Sequence, residues 1–452
     1  MAIRQWENRP ALASAADKSE DQERSIMNKF GIQYLESAPA SMPEGGVRTN
    51  GSSGQYREII AVLKKFQEGY TERDLKKADS FVDELFVNGG DVSILGTATG
   101  ELAFGIEEVK DLIKGDWEYW GAVTLDCENA YVSCEGDAAW ISVKGSVAYS
   151  FEDTPERYER YVDFIRDKVR DAELTPRQKI TFINWVLALN YHQRAAGKRE
   201  YLWPMCLSGV LLGREGKWKI THLHFSIPKA NFPDERFESS GKYFDNFNVQ
   251  KKKLEEYKNN KITSDIKALL KNFEEEFGRG EDIPEESVRK YFNADGMPYV
   301  VGPEHQRYDS VIQIREFFSE NDKFEFSLDV EQAIASGSGK ITWVTAAGTL
   351  KHHFTEDQLA GRALEEAESV LKSDLTPEEK LFAVHRSVAY SLKEGAAGSE
   401  HTCPIRMTAV ILNRAEGPVF NSIHFSFPFY WVFEGKMDSV EIHNRANGGI
   451  RT

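Results

Sequence analysis

The sequence of 452 residues predicts an α+β protein made of two tandem, cone-shaped domains, each with helices packed on a strongly bent antiparallel sheet. Two observations predict this. Short motifs recur at an offset of 200 or 201 residues, and in each copy helical patterns come first and alternating strands follow. The recurring motifs are Leu174-Thr175-Pro176 with Leu375-Thr376-Pro377, Ala195-Ala196-Gly197 with Ala396-Ala397-Gly398, and His224-Phe225-Ser226 with His424-Phe425-Ser426.

Composition along the chain predicts the boundaries of the two copies. Residues 1–54 form an N-terminal extension that ends in a linker rich in Pro, Gly and Ser, which is typical of flexible segments. Copy one then spans 55–235 and copy two spans 263–432. A charged connector at 236–262 joins them, and a tail at 433–452 follows.

Each copy is predicted to begin with an amphipathic helix, because its apolar residues keep helical spacing. A second short helix, a strand ending in a glycine turn and a third helix follow. Alternating strands are then predicted at 120–133 and 138–150, matched in copy two by 324–335 and 340–351. The apolar residues of the first helices are Ile59, Ile60, Leu63, Phe66 and Tyr70 in copy one, and Ile266, Leu269, Leu270, Phe273 and Phe277 in copy two.

A helical insertion is predicted before the last hairpin of each copy. Thr175, Pro176 and Gln178 form a capping box, a typical start of a helix, and Thr376-Pro377 repeats the device. The chain of copy one then closes with a hairpin at 201–214 and 217–227.

The composition excludes several classes of protein. Lys and Arg total 56 against 72 Asp and Glu, and the net charge of −16 disfavours nucleic-acid and anionic-membrane partners. No apolar run approaches the roughly 18 residues of a membrane helix, and the first thirty residues contain no apolar region typical of a secretory signal. The four cysteines follow no zinc spacing and suit a reducing cytoplasm, so we expect a cytoplasmic protein.

Two segments of copy one resemble a known family. The strand Trp218-Lys219-Ile220-Thr221-His222-Leu223-His224-Phe225-Ser226 resembles the final strand of SnoaL-like domains, which belong to the nuclear transport factor 2-like superfamily. The turn Leu95-Gly96-Thr97-Ala98-Thr99-Gly100-Glu101 resembles the glycine turn of the same group. Copy two departs from it, since its turn begins Gly302-Pro303-Glu304. The resemblance implies the cone-shaped fold, which serves isomerases, cyclases, hydrolases, adaptors and oligomerisation modules alike.

The last strand supplies the main candidate site residues. Strand alternation predicts that one face carries Trp218 and Ile220 together with His222, His224 and Ser226. Such a face suits the wall of a ligand pocket in which His222 or His224 acts as a general base. A hydrogen-bonded structural stripe or a subunit interface is the alternative. The matching residues of copy two are Phe420, Ser422, His424 and Ser426.

Copy one also offers acidic and aromatic candidates. Glu101 follows the turn of Gly96 and Thr97 and is a candidate acid or orienting group, and Asp116 lies at the end of the third helix. Trp140 belongs to a group of aromatic residues that would line an apolar cavity, with core packing as the alternative.

Arg406 distinguishes copy two, because copy one has Cys206 at the matching position. A guanidinium offers a rigid fork of donors suited to a carboxylate or phosphate. We therefore expect the cavity of copy two to prefer an anionic ligand and that of copy one a neutral, more apolar one. The alternative is a salt bridge from Arg406 to an acid such as Glu304.

Three functions remain open from the sequence. The first is a non-catalytic module for small-ligand binding or assembly that forms a pseudo-dimer within one chain, paired through apolar sheet faces at Leu223 and Phe225 and at Ile423 and Phe425. The second is an isomerase, cyclase or hydrolase acting on an apolar cyclic substrate. A metal enzyme using His222 and His224 ranks last, because a third ligand is not identifiable. No motif predicts a cofactor.

Overall fold

The computed structural model describes residues 49–428 with gaps. The extension before residue 49, the tail after residue 428 and much of the connector therefore lie outside the described residues, as do Glu304 and Thr376. The gaps are 99, 153–154, 173, 178, 181–182, 185–186, 188–197, 228–247, 249, 259–260, 280–281, 304, 320–323, 354, 375–376, 378–379, 382–383, 386–387, 389–390 and 393–399.

The fold class is α+β, as predicted, with helices packed on two sheets. The elements of copy one are α1 (Ser53–Glu72), α2 (Ala78–Leu85), β1 (Ser93–Leu95), β2 (Leu102–Phe104), α3 (Ile106–Tyr119), β3 (Ala122–Leu125), β4 (Tyr131–Glu135), β5 (Ala138–Glu152), α4 (Pro155–Arg170), β6 (Lys198–Arg214) and β7 (Lys217–Ser226). Those of copy two are α5 (Ser264–Phe277), α6 (Glu285–Tyr291), β8 (Tyr299–Val301), β9 (Arg307–Tyr308), α7 (Val311–Ser319), β10 (Phe324–Leu328), β11 (Ile334–Ser338), β12 (Ile341–His353), α8 (Glu356–Lys372), β13 (Glu400–Arg414) and β14 (Gly417–Ser426).

The two sheets have equivalent strand orders. The first runs β2-β1-β7-β6-β5-β3, with β4 also paired to β5. The second runs β9-β8-β14-β13-β12-β10, with β11 also paired to β12. Each sheet is mixed rather than purely antiparallel, because β1 pairs in parallel with β7 and β8 with β14. Those partners are far apart in sequence, so no hairpin forces them to run in opposite directions.

The strand predicted at 120–133 is divided in the structure. It ends as β3 at Leu125, passes through a tight turn, and resumes as β4 at Tyr131. Both carboxylate oxygens of Asp126 accept hydrogen bonds from the side-chain amide of Asn129, at 2.9 and 3.1 Å. These local bonds compete with strand pairing, so the turn forms in spite of the apolar pattern on either side.

The helices of each copy cover the more apolar face of its own sheet. Leu223 and Phe225 are buried in the core of copy one, and Ile423 and Phe425 in that of copy two. The prediction that these faces pair the two copies is therefore wrong. Each sheet must first cover an apolar face with its own amphipathic helices, so the more polar face is left to meet the other copy.

A β-bulge corrects the predicted faces of the last strand. The register between β6 and β7 shifts between Val210 and Leu211, whose partners are His222 and Ile220, so Thr221 is an extra residue. Ile220 and Trp218 consequently pack on the core of copy one, on the side opposite to His222. The same bulge in β14 turns Phe420 into the core of copy two.

Residues 49–54 belong to copy one and not to a linker. Thr49 bridges to Val132, and the Asn50 side chain accepts a hydrogen bond from the Cys134 backbone N–H (2.7 Å) and donates one to its carbonyl (3.2 Å). Ser52 caps α1 in a capping box with Gln55. Residues 49–54, which the sequence analysis assigned to the extension, therefore pack with copy one.

Two truncations test this boundary. Removing residues 1–54 takes away the Asn50 bonds and the Ser52 cap, each of which contributes about 1 kcal/mol. We expect this protein to melt several degrees below a protein that lacks only residues 1–48, as measured by differential scanning calorimetry. Equal melting temperatures for the two truncations would show that residues 49–54 add nothing to the fold.

No helix in the described part of the chain is long and apolar enough to cross a membrane.

Candidate functional site

The outer faces of the two sheets lie against each other. An apolar cluster joins them, and Trp140 of β5 and Trp343 of β12 belong to it. Trp140 therefore lies between the copies and not in a cavity inside copy one. The remaining buried members of the cluster are Ala138, Cys206, Val210, Leu212, Tyr299, Val301, Ile341 and Val410.

A buried polar network occupies the centre of this contact. The rings of His224 and His424 stack with their centroids 4.2 Å apart. His224 Nε2 lies 2.7 Å from Ser426 Oγ, and His424 Nε2 lies 2.8 Å from Ser226 Oγ. Each copy thus offers the same pair of groups to the other, as in the isologous interface of a two-fold dimer.

Further side chains extend the network on both sides. His222 lies between Ser93 Oγ (2.8 Å from Nδ1) and Thr408 Oγ1 (3.2 Å from Nε2). His424 Nδ1 also lies 2.7 Å from Ser208 Oγ. Sequence reasoning missed Thr408 and Ser208, because their role depends on which strands of the other copy lie opposite. It missed Ser93 because the parallel pairing of β1 with β7, which places Ser93 beside His222, joins strands far apart in sequence.

His305 joins the network from the turn of copy two, where its Nε2 lies 2.9 Å from Ser226 Oγ. Its backbone has a φ of 65°, which is rare outside glycine, and its side chain is fully buried. The tight turn after Gly302 positions this side chain, and no sequence pattern indicated it.

Burial keeps the histidines neutral. Loss of solvation lowers the pKa of His222 and of His424 to about 3. Burial, and then the neighbouring His424, hold the pKa of His224 and of His305 well below the usual value. The predicted pocket wall is therefore corrected: these rings face the sheet of the other copy, which encloses them.

Arg406 crosses from copy two to copy one. Its Nη1 and Nη2 donate to the carbonyl oxygens of Gly96 and Ala98, both at 2.6 Å, and its Nε donates to Gln250 Oε1 at 2.6 Å. The fork predicted to take an anionic ligand is thus bound to the backbone of the glycine turn. Burial lowers the pKa of Arg406 to about 9 against the attraction of Glu101, so the group remains a cation at neutral pH.

Glu101 ends the glycine turn to which Arg406 donates its hydrogen bonds, and its carbonyl accepts from the Gly96 N–H. Its Oε2 accepts hydrogen bonds from the Ala98 backbone N–H (2.7 Å) and from Thr97 Oγ1 (3.3 Å). A Cβ at Gly96 would lie 2.6 Å from the Cβ of Glu101, so only glycine fits. The turn of copy two closes with the matching bond from Gly302 N–H to the carbonyl of Gln306, which identifies Gln306 as the counterpart of Glu101.

Asp116 lies in a different place, on the helix side of the sheet of copy one. Its Oδ2 accepts a hydrogen bond of 2.9 Å from Tyr70, and both side chains are buried. The rings of Trp117, Trp120 and Phe225 surround Tyr70 with centroids 6.2 to 6.3 Å away. Burial and then the carboxylate raise the pKa of Tyr70 well above its usual value.

In copy two, phenylalanine side chains line the part of the interior that corresponds to the surroundings of Tyr70 in copy one. Phe273 and Phe277 of α5 occupy the places of Phe66 and Tyr70, with ring centroids 4.9 Å apart. Phe292, Phe318, Phe326, Phe420 and Phe425 pack around Phe273 or Phe318. The two interiors therefore differ in chemistry, and the polar pair belongs to copy one.

The structure places the predicted site residues in three different locations. The inter-copy contact holds Gly96, Thr97, Glu101, Trp140, His222, His224, Ser226, Arg406, His424 and Ser426. Asp116 lies in the interior of copy one, and Trp218 is half-buried at its surface, where the indole N–H donates to Glu58 Oε2 (3.1 Å). Among the residues that the structure describes, no three His, Cys, Asp or Glu side chains come together as metal ligands.

Comparison with known proteins adds the following. No protein-family model matches the sequence, and no curated protein matches it. The chain is similar to solved structures of nuclear transport factor 2-like proteins, the superfamily that its motifs resemble. One from Salmonella enterica serovar Typhimurium is 12% identical, with a TM-score of 0.26 over 39% of this chain and 94% of the other.

Two further solved structures cover similar shares. An NTF2-like protein from Pseudomonas putida is 11% identical, with a TM-score of 0.24 over 39% of this chain and 89% of the other. The association domain of CaMKII from C. elegans is 16% identical, with a TM-score of 0.23 over 38% of this chain and 95% of the other.

Proposed function

We propose that this protein is a non-catalytic assembly module in which the two copies form an intramolecular pseudo-dimer. One observation carries the proposal: the side chains best suited to chemistry, His222, His224, His424 and Arg406, are all buried against the other copy. A general base must reach a substrate proton within hydrogen-bond distance, and these groups are bonded to protein instead.

The connector strengthens the pairing. Gln250 accepts from Arg406, and Leu254 is buried with Ile334 and Ala347 of copy two and with Phe104 of copy one. Residues 250–256 are helical, and this segment contacts both copies. A linker that only tethered two independent domains would not bury its side chains in this way.

Contacts at the margin of the interface also couple the copies. The Arg307 guanidinium lies 4.0 Å from the centroid of the Tyr131 ring and donates to Ser142 Oγ at 2.9 Å. Tyr131 in turn donates to Asp309 Oδ2 at 2.5 Å. A cation over an aromatic ring contributes up to about 2 kcal/mol where water is excluded.

A second candidate function is binding of a small apolar cyclic ligand inside copy one, with turnover by an isomerase, cyclase or hydrolase as its catalytic form. The buried pair of Tyr70 and Asp116 favours it, because an apolar interior with one polar pair is typical of small-ligand sites. An anionic ligand at Arg406 is not part of this candidate. The four cysteines are buried and form no disulfide with one another, which fits the cytoplasmic location that we propose with either function.

A ligand screen separates the two candidates. For an assembly module we expect apolar cyclic compounds to raise the melting temperature by less than one degree, and native mass spectrometry to detect no retained organic molecule. A compound that stabilises the wild type and the surface variant Asp111→Asn, but not Asp116→Asn, would instead establish the ligand site in copy one and overturn the first proposal.

A further inference from the structure

The helical insertions of both copies expose aliphatic side chains at a regular spacing. In α4, Val162 and Val169 are 52% and 54% exposed, and in α8, Leu364 and Leu371 are 71% and 62% exposed. Seven residues are two turns of helix, so both members of a pair lie on the same side. Each helix thus presents an apolar stripe to the outside of its own copy.

The segments that follow these helices repeat the pattern. Ile180 and Leu187 are exposed in copy one, and Leu381 and Val388 are exposed at the positions 201 residues later. These pairs also have seven-residue spacing. Exposed aliphatic residues scattered singly need no explanation, but four pairs with the same seven-residue spacing indicate a surface that contacts another molecule.

The exposed stripe of α8 is not needed for packing within the chain. Leu359, Ala363 and Val370 of α8 are buried and already supply its inward stripe. Leu364 and Leu371 each follow one of these residues directly, and so lie about 100° further round the helix. A helix with two apolar stripes has one for its own core and one for a partner.

Charge indicates which surface is the partner. Helix α4 has five Lys or Arg and four Asp or Glu, whereas α8 has two Lys or Arg and five Asp or Glu. Within the chain the two insertions already meet with this polarity, because Arg177 donates to Glu356 at 2.6 Å. The insertion of copy one is therefore complementary to that of copy two in charge as well as in apolar pattern.

We propose that the insertion helices form a dimer interface with a second copy of this chain, with α4 of each molecule lying against α8 of the other. A two-fold axis makes this contact twice and closes the assembly, since every stripe then meets a complementary one. The inference rests on the proposed assembly function and names its partner. The surface differs from the sheet contact inside the chain.

Analytical ultracentrifugation of the full chain tests the proposal, with the double variant Leu364→Gln and Leu371→Gln as the probe. A wild-type dimer should be detected at a protein concentration of about 100 µM or lower. The double variant should raise the dimer dissociation constant at least about tenfold. The matched control is Leu75→Gln with Ile312→Gln, which replaces two exposed aliphatic residues, 45% and 59% exposed, outside the insertions. This control should dimerise like wild type.

Charge reversal tests the pairing of α4 with α8. The variant Arg166→Glu with Arg170→Glu should weaken the dimer, and adding Glu365→Arg with Glu368→Arg in the same chain should restore it. A wild-type protein that stays monomeric, or equal weakening by the probe and the control, overturns the inference. Flotation of a monomeric wild type with phosphatidylcholine vesicles would assign the stripes to a lipid surface instead. None of these outcomes depends on the ligand screen, which tests the proposed function separately.

Discussion

Replacing Arg406 with methionine should lower the free energy of unfolding by about 3–5 kcal/mol, the range for breaking a buried charged contact by removal of one partner. Methionine retains much of the length of the side chain but donates no hydrogen bond. The carbonyl oxygens of Gly96 and Ala98 and the Gln250 amide oxygen would lose the donor that now satisfies them inside the interface. Each buried acceptor left without a donor costs about 1–3 kcal/mol.

The measurement is the melting temperature and urea unfolding of Arg406→Met beside Arg289→Met. Arg289 is exposed and pairs with Glu285 one turn away on α6, a contact that contributes about 0.5 kcal/mol or less. We expect a fall of about 10 °C for Arg406→Met and almost none for the control. Gln250→Ala should give an intermediate loss, because it removes the bond to Arg406 Nε and leaves those to Gly96 and Ala98. Equal melting temperatures for Arg406→Met and Arg289→Met would show that the hydrogen bonds of Arg406 to copy one do not stabilise the protein.

Acidification should destabilise the protein steeply through its buried histidines. An unfolded histidine takes up a proton near pH 6.5, whereas His222 and His424 in the folded protein do so only near pH 3. Between these two values the unfolded state holds more protons than the folded state, so stability rises with pH and falls on acidification. At pH 5.5 these two residues alone should remove about 3 kcal/mol, and His224 and His305 act in the same direction.

Calorimetry between about pH 7.5 and pH 5.5 measures how the free energy of unfolding depends on pH. The double variant His222→Gln with His424→Gln should be less stable than wild type at the upper pH but should lose less stability on acidification. The variant His385→Gln leaves the buried network intact and should keep the wild-type slope. If the double variant and wild type lose the same stability over this interval, the two histidines are not the groups responsible.

The apolar periodicity of the sequence determined the α+β class and the order of helices and strands in each half. Positions such as Leu63, Phe66 and Tyr70 of α1 need one buried face, and a regular spacing is enough to show it. The short strands β2 and β9, of three and two residues, were not predicted. The turn at Asp126 was also missed, because hydrogen bonds between neighbouring polar side chains form it and leave the apolar pattern on either side unchanged.

The bulge at Thr221 shows where strand alternation fails. One extra residue reverses the faces of every position before it, so Trp218 and Ile220 point to the core while His222 points away. No residue type marks a bulge as a hydrophobic period marks a helix. The sequence therefore grouped the correct histidines with the wrong aromatic residue.

The sequence alone identified the residues able to do chemistry, His222, His224, Arg406 and His424, because their side chains carry the relevant groups wherever they lie. Only the tertiary structure decided what those groups contact. Each half covers its most apolar sheet face with its own helices, and the polar faces are left to cover each other. A residue buried between two sheets and a residue lining a pocket have the same pattern in sequence, since both lie on the less apolar face of a strand. The difference is the position of the second half of the chain, which depends on contacts such as Arg406 with Gly96 between residues 310 positions apart.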